Sequence, residues 1–225
     1  MKDFQKKVIY QLYPKSFKDS DGNGIGDLQG IISKVPYLAE LGIDMIWMNP
    51  IFVSPQMDNG YDITDYYAID PVFGTMADFE ELIGKLKQHG IEIMFDMVFN
   101  HTSTTHEWFR KALAGDKEYQ DYYIIRDPKA DGSLPTNWSS KFGGEAWAPF
   151  GDTGKYYLHL FDVTQADLNW RNPKVREELQ KVVNFWLEKG IKGFRFDVLN
   201  LIGKDVALVD SEGSNEKSLY TDRPI

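Results

Sequence analysis

The sequence contains no cysteine among its 225 residues. Disulfides and thiolate metal centres are therefore excluded, while either side of a membrane stays open. No apolar run is long enough to span a bilayer. The opening MKDFQKKVIYQLYPKSF lacks the apolar core and small-residue cleavage site of a leader peptide, so the expectation is a soluble, cytoplasmic protein without a membrane partner. No basic stripe is present and the net charge is −9, which argues against nucleic acid as a partner. Neither an internal repeat nor a low-complexity tract is found. What the chain does have is apolar and aromatic material, 42% and 14% of its residues, enough for a packed core and too much for a disordered chain.

Four short apolar runs, Val8–Tyr13, Met45–Ile51, Ile91–Phe99 and Gly193–Leu199, have strand length and are rich in β-branched or aromatic residues. Their near-continuous apolarity predicts burial on both faces, as in a parallel sheet. Helical spacing falls between them. Phe79, Leu82, Ile83 and Leu86 follow a capping box at Thr75 and Asp78 and end at Gly90. Val175, Leu179, Val182, Val183 and Trp186 follow Asn172 as cap, with Pro173 in the first turn, and end at Gly190. A third helix is expected over Leu28–Leu41, interrupted near Pro36 and closed by Gly42. Strand and helix in alternation imply βαβ units.

Between Phe99 and Asn172 the alternation stops in a stretch rich in Gly, Pro, Asn and Trp. It is too long for an ordinary loop. It is expected to be an inserted subdomain with a short hairpin around Lys155–Phe161. The fold class predicted is α/β, the N-terminal half of a (β/α)8 barrel with a subdomain inserted after the third strand. The expected segments are 1–101 for the first part of the barrel, 102–171 for the insertion and 172–225 for the fourth βα region. A whole barrel needs about 250 residues before insertions. Four strands and an insertion use up this chain, so the remainder of the barrel is expected to be missing.

Three motifs carry chemistry. In GFRFDV (193–198), Arg195 and Asp197 alternate with Phe194, Phe196 and Val198 and so share one strand face. The guanidinium would keep Asp197 ionised, as a glycosidase nucleophile requires; a structural ion pair is the alternative. In DMVFNH (96–101), His101 follows a strand and could donate to a sugar hydroxyl, with Asp96 and Asn100 bracing the loop; a structural histidine is the alternative. In DNGYDITDYY (58–67), Tyr61 offers a flat face for a pyranose ring, and Asp58 and Asp62 offer acceptors; the alternative is an Asn-Gly turn with solvated acids.

Taken together these residues resemble glycoside hydrolase family 13, the α-amylase superfamily. QADLNW (165–170) is similar to an added signature of its oligo-1,6-glucosidase-like branch. The resemblance implies a retaining double displacement on a small carbohydrate substrate, with Asp197 as nucleophile and Arg195 and His101 around the reacting sugar. Asp58 and Tyr61 would grip the non-reducing end, and Phe142, Phe161 and Gln165 would line the pocket. In this family the general acid is a Glu after the fifth strand. Asp210 and Glu212 do not match it, so the 225-residue chain alone is expected to be inactive. Val198 resembles enzymes of α-1,6 or trehalose-type linkages. Residues 135–147 and 157–170 are most similar to hydrolases of trehalose 6-phosphate, and oligo-1,6-glucosidases, which tend to carry Pro where Ala166 stands, resemble them closely. Non-catalytic, transporter-associated relatives are a further alternative; they tend to lose the nucleophile and its Arg.

Residues 19–30, DSDGNGIGDLQG, space oxygen donors at Asp19, Asp21, Asn23, the backbone of Ile25 and Asp27, much as a calcium loop does. Gly30 stands where an EF-hand has its glutamate, and the preceding segment reads as a strand, so an EF-hand is excluded. The branch carries a structural Ca2+ or Mg2+ loop here, which the resemblance extends to this chain. A metal-free surface turn is the alternative. No organic cofactor is expected.

Overall fold

The computed structural model describes residues 4–204 and 207–211. The reading of the polar tail after Lys204, including Glu212, otherwise lies outside the described residues.

In chain order, β1 is Ile9–Leu12, followed by α1 Pro14–Phe17, α2 Leu28–Ser33, α3 Val35–Glu40 and β2 Met45–Met48. Next come β3 Phe52–Val53, β4 Asp65–Ile69, α4 Met76–Gln88, β5 Glu92–Met97 and β6 His101–Ser103. The insertion contributes α5 Glu107–Leu113, α6 Lys117–Gln120, β7 Ile125–Arg126, β8 Trp147–Pro149, β9 Tyr156–Leu158 and β10 Gln165–Asp167. The last elements are α7 Pro173–Glu188 and β11 Gly193–Phe196.

The four expected strands form one parallel sheet in the order β1-β2-β5-β11. The capping box of α4 is formed, with the Thr75 side chain accepting from Asp78 N and Asp78 accepting from Thr75 N. The expected helix over 28–41 is two helices, because Pro36 cannot donate a backbone hydrogen bond and is seated in the first turn of α3. The expected hairpin around Lys155–Phe161 is a correction. The hairpin is β8–β9, reversing at Gly151–Gly154, and β9 is the centre of a three-stranded antiparallel sheet with β7 on its other edge. Phe161 lies outside it because Asp162 starts a turn of its own, accepting from the backbone and hydroxyl of Thr164.

Packing divides the chain into two units, 1–54 with 65–97 and 180–196, and 55–64 with 98–179 and 197 onward. Segment 55–64, placed in the barrel by sequence order, thus packs with the insertion. In the first unit an aromatic cluster lies within a largely aliphatic core. Trp186 is completely buried, with ring centroids of Phe95 at 4.9 Å, Phe52 at 5.5 Å and Phe79 at 5.5 Å. Its indole N–H donates to the Tyr66 carbonyl at 2.8 Å. Fixed in this way, the core supports β5 and the parallel sheet that carries β11. In the second unit, Phe109 packs edge-on against Tyr123, Phe150 and Tyr157. A second apolar cluster there joins Trp147, Leu158 and Leu160 to Leu201 and Leu208.

Two departures from ordinary backbone matter for the site. β11 ends at Phe196, so Asp197 occupies the turn beyond the strand rather than the strand itself. Val198 then takes φ 42° and ψ 38°, a left-handed conformation that a β-branched residue rarely adopts.

Candidate active site

In the second unit a turn, a short strand pair and one long-range amide bring the predicted sugar-binding residues together. Asn59 and Gly60 both have positive φ, 49° and 96°, forming a left-handed turn between Asp58 and Tyr61. Asp62 is completely buried, and its carboxylate accepts from Met57 N and Asp58 N. It builds the turn, which corrects its expected role as a sugar acceptor. β6 and β10 pair antiparallel with His101 opposite Asp167 and Ser103 opposite Gln165. The Gln165 amide N–H2 donates to Asp58 Oδ2 at 2.8 Å and to the Tyr61 carbonyl at 3.2 Å. His101 Nε2 lies 3.0 Å from the same carbonyl. Phe161 stacks obliquely on the His101 ring, with centroids 5.2 Å apart. Phe142 meets Phe161 at 5.6 Å and is 59% exposed. Asp58, Tyr61, His101, Phe161, Phe142 and Gln165 thus form one group, although Gln165 and Asp58 are 107 residues apart in sequence.

Electrostatics tie Asp197 to this group. Burial raises the pKa of Asp58 above the usual carboxylate value; the Gln165 amide opposes this, and the charges of Asp62, Asp162 and Asp197 reinforce it. Burial lowers the pKa of His101, with help from the Lys204 ammonium, against the pull of Asp167, the Tyr61 carbonyl and Asp197. The arrangement combines acceptors for hydroxyl groups, an aromatic wall and a carboxylate whose field reaches both Asp58 and His101.

In the first unit, Arg195 faces Asp96 across the β11–β5 register. Its Nη1 lies 2.8 Å and 3.1 Å from the two Asp96 oxygens. Trp47 Nε1 donates to Asp96 at 3.0 Å, and the guanidinium lies over the Trp47 ring at 5.0 Å. The expected loop-bracing role of Asp96 is therefore corrected: it is the buried anchor of Arg195. The signal was present, since Asp96 interrupts an otherwise apolar strand, and a carboxylate inside a sheet requires a cation or donors.

The N-terminal loop, also in the first unit, gathers carboxylate oxygens of Asp19, Asp21 and Asp27 within 4.8 Å of one another. Asp19 accepts from the backbone of Gly24, Gly22 and Asp21, which holds its pKa below the usual value. Burial pushes Asp27 up, but donors from Ser20 and Gly30 outweigh it and leave its pKa lowered. Asn23 Oδ1 accepts from Ile25 N, and the Asn23 amide N–H2 turns to Asp21. Three of the five expected donors are thus in mutual reach, and an oxygen set of this kind fits a hard cation. Asp27 also caps α2 by accepting from Gly30 N. Gly30 is dictated by space: a Cβ there would lie 1.9 Å from the Lys18 carbonyl oxygen.

Comparison with known proteins decides the family. The profile of the alpha-amylase catalytic domain matches residues 11–225. The chain belongs to the alpha-amylase family. Within the alpha-amylase family it is 54% identical over 222 residues to trehalose-6-phosphate hydrolase of Bacillus subtilis, covering 98% of this chain and 40% of that protein. It is 50% identical over 215 residues to oligo-1,6-glucosidase of Parageobacillus thermoglucosidasius, covering 95% and 38%. Among solved structures, Bacillus licheniformis trehalose-6-phosphate hydrolase superposes with a TM-score of 0.92 at 54% identity, covering 98% of this chain and 40% of that one. Trehalulose synthase of Pseudomonas mesoacidophila superposes at 0.88 and 50% identity, covering 91% and 37%. The chain spans about two fifths of the length of these relatives. The sheet β1-β2-β5-β11 is the first half of the (β/α)8 barrel, as predicted. No described helix is long and apolar enough to cross a membrane.

Behind the site stand Asn100, which was expected to brace the loop, and two residues that sequence reasoning gave no role, Asp167 and Lys204. All three are buried. Lys204 Nζ pairs with Asp167 Oδ2 at 2.8 Å and donates to Asn100 Oδ1 at 2.8 Å. Lys204 stands just before the segment that reads as an irregular tail, and Asn100 is 104 residues away in sequence.

Proposed function

We propose that this chain carries the nucleophile and sugar-gripping side of the active site of a retaining α-glycosidase acting on trehalose 6-phosphate. The observation that carries the reading is the joined set Asp58, Tyr61, His101 and Gln165, with the charge of Asp197 acting on it. In this reading Asp197 attacks the anomeric carbon and forms a covalent glycosyl ester, while a second carboxyl about 5–5.5 Å away protonates the leaving oxygen and then activates water. By the resemblance, that acid is a Glu after the fifth barrel strand. In this reading Asp58 holds a hydroxyl group of the non-reducing-end glucose, His101 lies beside that sugar, and Phe161 and Phe142 wall the ring. The identity of 54% to a trehalose-6-phosphate hydrolase supports this substrate over isomaltose. Such a sugar carries a phosphate dianion, which does not cross a bilayer unaided, so the enzyme would act in the cytoplasm where the sugar is phosphorylated.

The test is hydrolysis of trehalose 6-phosphate against isomaltose by the complete protein. Preference for the phosphorylated sugar, lost in Asp197→Asn, is the expected result. Preference for isomaltose would move the assignment to the oligo-1,6-glucosidases, and full turnover in Asp197→Asn would remove the nucleophile. We also propose that Asp19, Asp21 and Asp27 hold a structural Ca2+ or Mg2+, with Asn23 and Ile25 completing the shell, because three carboxylates packed this closely repel one another without a cation. Its role would be to fix the loop and the start of α2.

A further inference from the structure

The polar contacts behind His101 form one connected chain, and its direction is fixed at the far end. Lys204 Nζ is a donor only. The Asn100 amide group must therefore turn its oxygen to Lys204, at 2.8 Å, and its N–H2 the other way. That N–H2 lies 3.1 Å from His101 Nδ1 and 3.3 Å from Asp167 Oδ2. A donor aimed at Nδ1 leaves no room for a proton on that nitrogen, so the ring proton sits on Nε2 and donates to the Tyr61 carbonyl at 3.0 Å. The approach of Gln165 Nε2 to His101 Nε2, 3.1 Å, is then two donors converging on one acceptor, since Gln165 Nε2 also donates to Tyr61 O. The orientation of Gln165 is fixed independently, by Asp162 N donating to its oxygen at 2.8 Å.

Charge points the same way. Among the described residues, the charged groups that act on His101 include Asp167, Asp197 and Lys204, with Asp58 reached through Gln165. The carboxylates favour an imidazolium, and Lys204 opposes them. Asp167 Oδ1 is engaged by Leu160 N at 3.0 Å, and its Oδ2 faces Lys204.

We propose that Lys204 is a positioning residue for His101: its buried ammonium neutralises Asp167 and orients Asn100, so that the imidazole stays neutral with its proton on Nε2. The geometric part stands without the glycosidase reading, and only its consequence for turnover rests on it. A neutral Nε2–H donor gives a fixed hydrogen bond beside the sugar pocket, whereas an imidazolium there would add a positive charge within reach of Asp197 and weaken the nucleophile.

The test is long-range 1H–15N correlation of the imidazole nitrogens in 15N-histidine protein, assigned by loss of signals in His101→Gln. In the unsubstituted protein His101 is expected to show a pyridine-like Nδ1 and a pyrrole-like Nε2, unchanged between about pH 5 and 8. A protonated Nδ1 would overturn the proposal. In Lys204→Met, Asp167 is left without its cation, and His101 should titrate within that range. Lys204→Arg and the double change Lys204→Met with Asp167→Asn should both keep the neutral ring. A folded Lys204→Met whose His101 signals match the unsubstituted protein at every pH overturns it, as does a double variant that titrates. The glycosidase reading fails separately, through absent hydrolysis with these His101 signals intact.

Discussion

Trp186→Ala is the sharpest perturbation of the first unit. The indole is fully buried among Phe52, Phe79 and Phe95 and donates to Tyr66 O. Truncating a buried Trp to Ala costs about 3–5 kcal/mol through lost burial and the cavity left behind. The Tyr66 carbonyl would lose its donor, which adds about 1–3 kcal/mol if water does not enter. The aromatic cage cannot collapse far, because each ring is held by the others, so a value of about 5 kcal/mol is expected. For a chain of this size that corresponds to a Tm lower by about 10–20 °C. Trp186→Phe keeps most of the ring contacts and loses the hydrogen bond, so about 1–3 kcal/mol is expected. Urea unfolding followed by fluorescence and far-ultraviolet circular dichroism measures both. A loss under about 2 kcal/mol for Trp186→Ala, or equal losses for the two variants, would refute the account of the core.

Removing divalent cations with EDTA should lower Tm, and Ca2+ at about 100 times its Kd should restore about 2.7 kcal/mol; in Asp21→Asn the response to Ca2+ should be strongly reduced, and an unchanged response would refute the site. His106, which caps α5 by accepting from Trp108 N, has its pKa lowered by burial to about 4, opposed by Glu107. Its contribution is complete above the ordinary value of 6.5 and is lost as pH falls through about 4, so His106→Asn should flatten the stability–pH curve there by up to about 3 kcal/mol. The raised pKa of Asp58 has the opposite sign: its neutral form suits the fold, and ionisation costs stability as pH rises above 3.8. Asp58→Asn should therefore gain stability relative to the unsubstituted protein between acid and neutral pH, and a pH-independent difference would contradict the burial argument.

The parallel sheet was legible because strands buried on both faces are continuously apolar, and Met45–Met48 and Glu92–Met97 read so apart from Glu92 and Asp96. The α4 cap was legible because its two partners are three residues apart. The β8–β9 hairpin was placed too late, since Phe161 and Leu160 read as strand residues while the reversal lies at Gly151–Gly154. Candidate sugar-binding residues were legible one by one through resemblance. Their wiring was not, because Gln165 meets Asp58 and Lys204 meets Asn100 only after more than a hundred intervening residues are folded. Asp96 and Arg195, 99 residues apart, are linked by the register of two strands, which neither strand's own pattern reveals.

Val198 holds a left-handed conformation immediately after the residue assigned to attack the sugar. A non-glycine residue there stores about 1–3 kcal/mol, released if glycine replaced it. Glycine would adopt the same conformation without that cost. The strain is held by packing, since Val198 lies against the apolar cluster that contains Leu201 and Leu208.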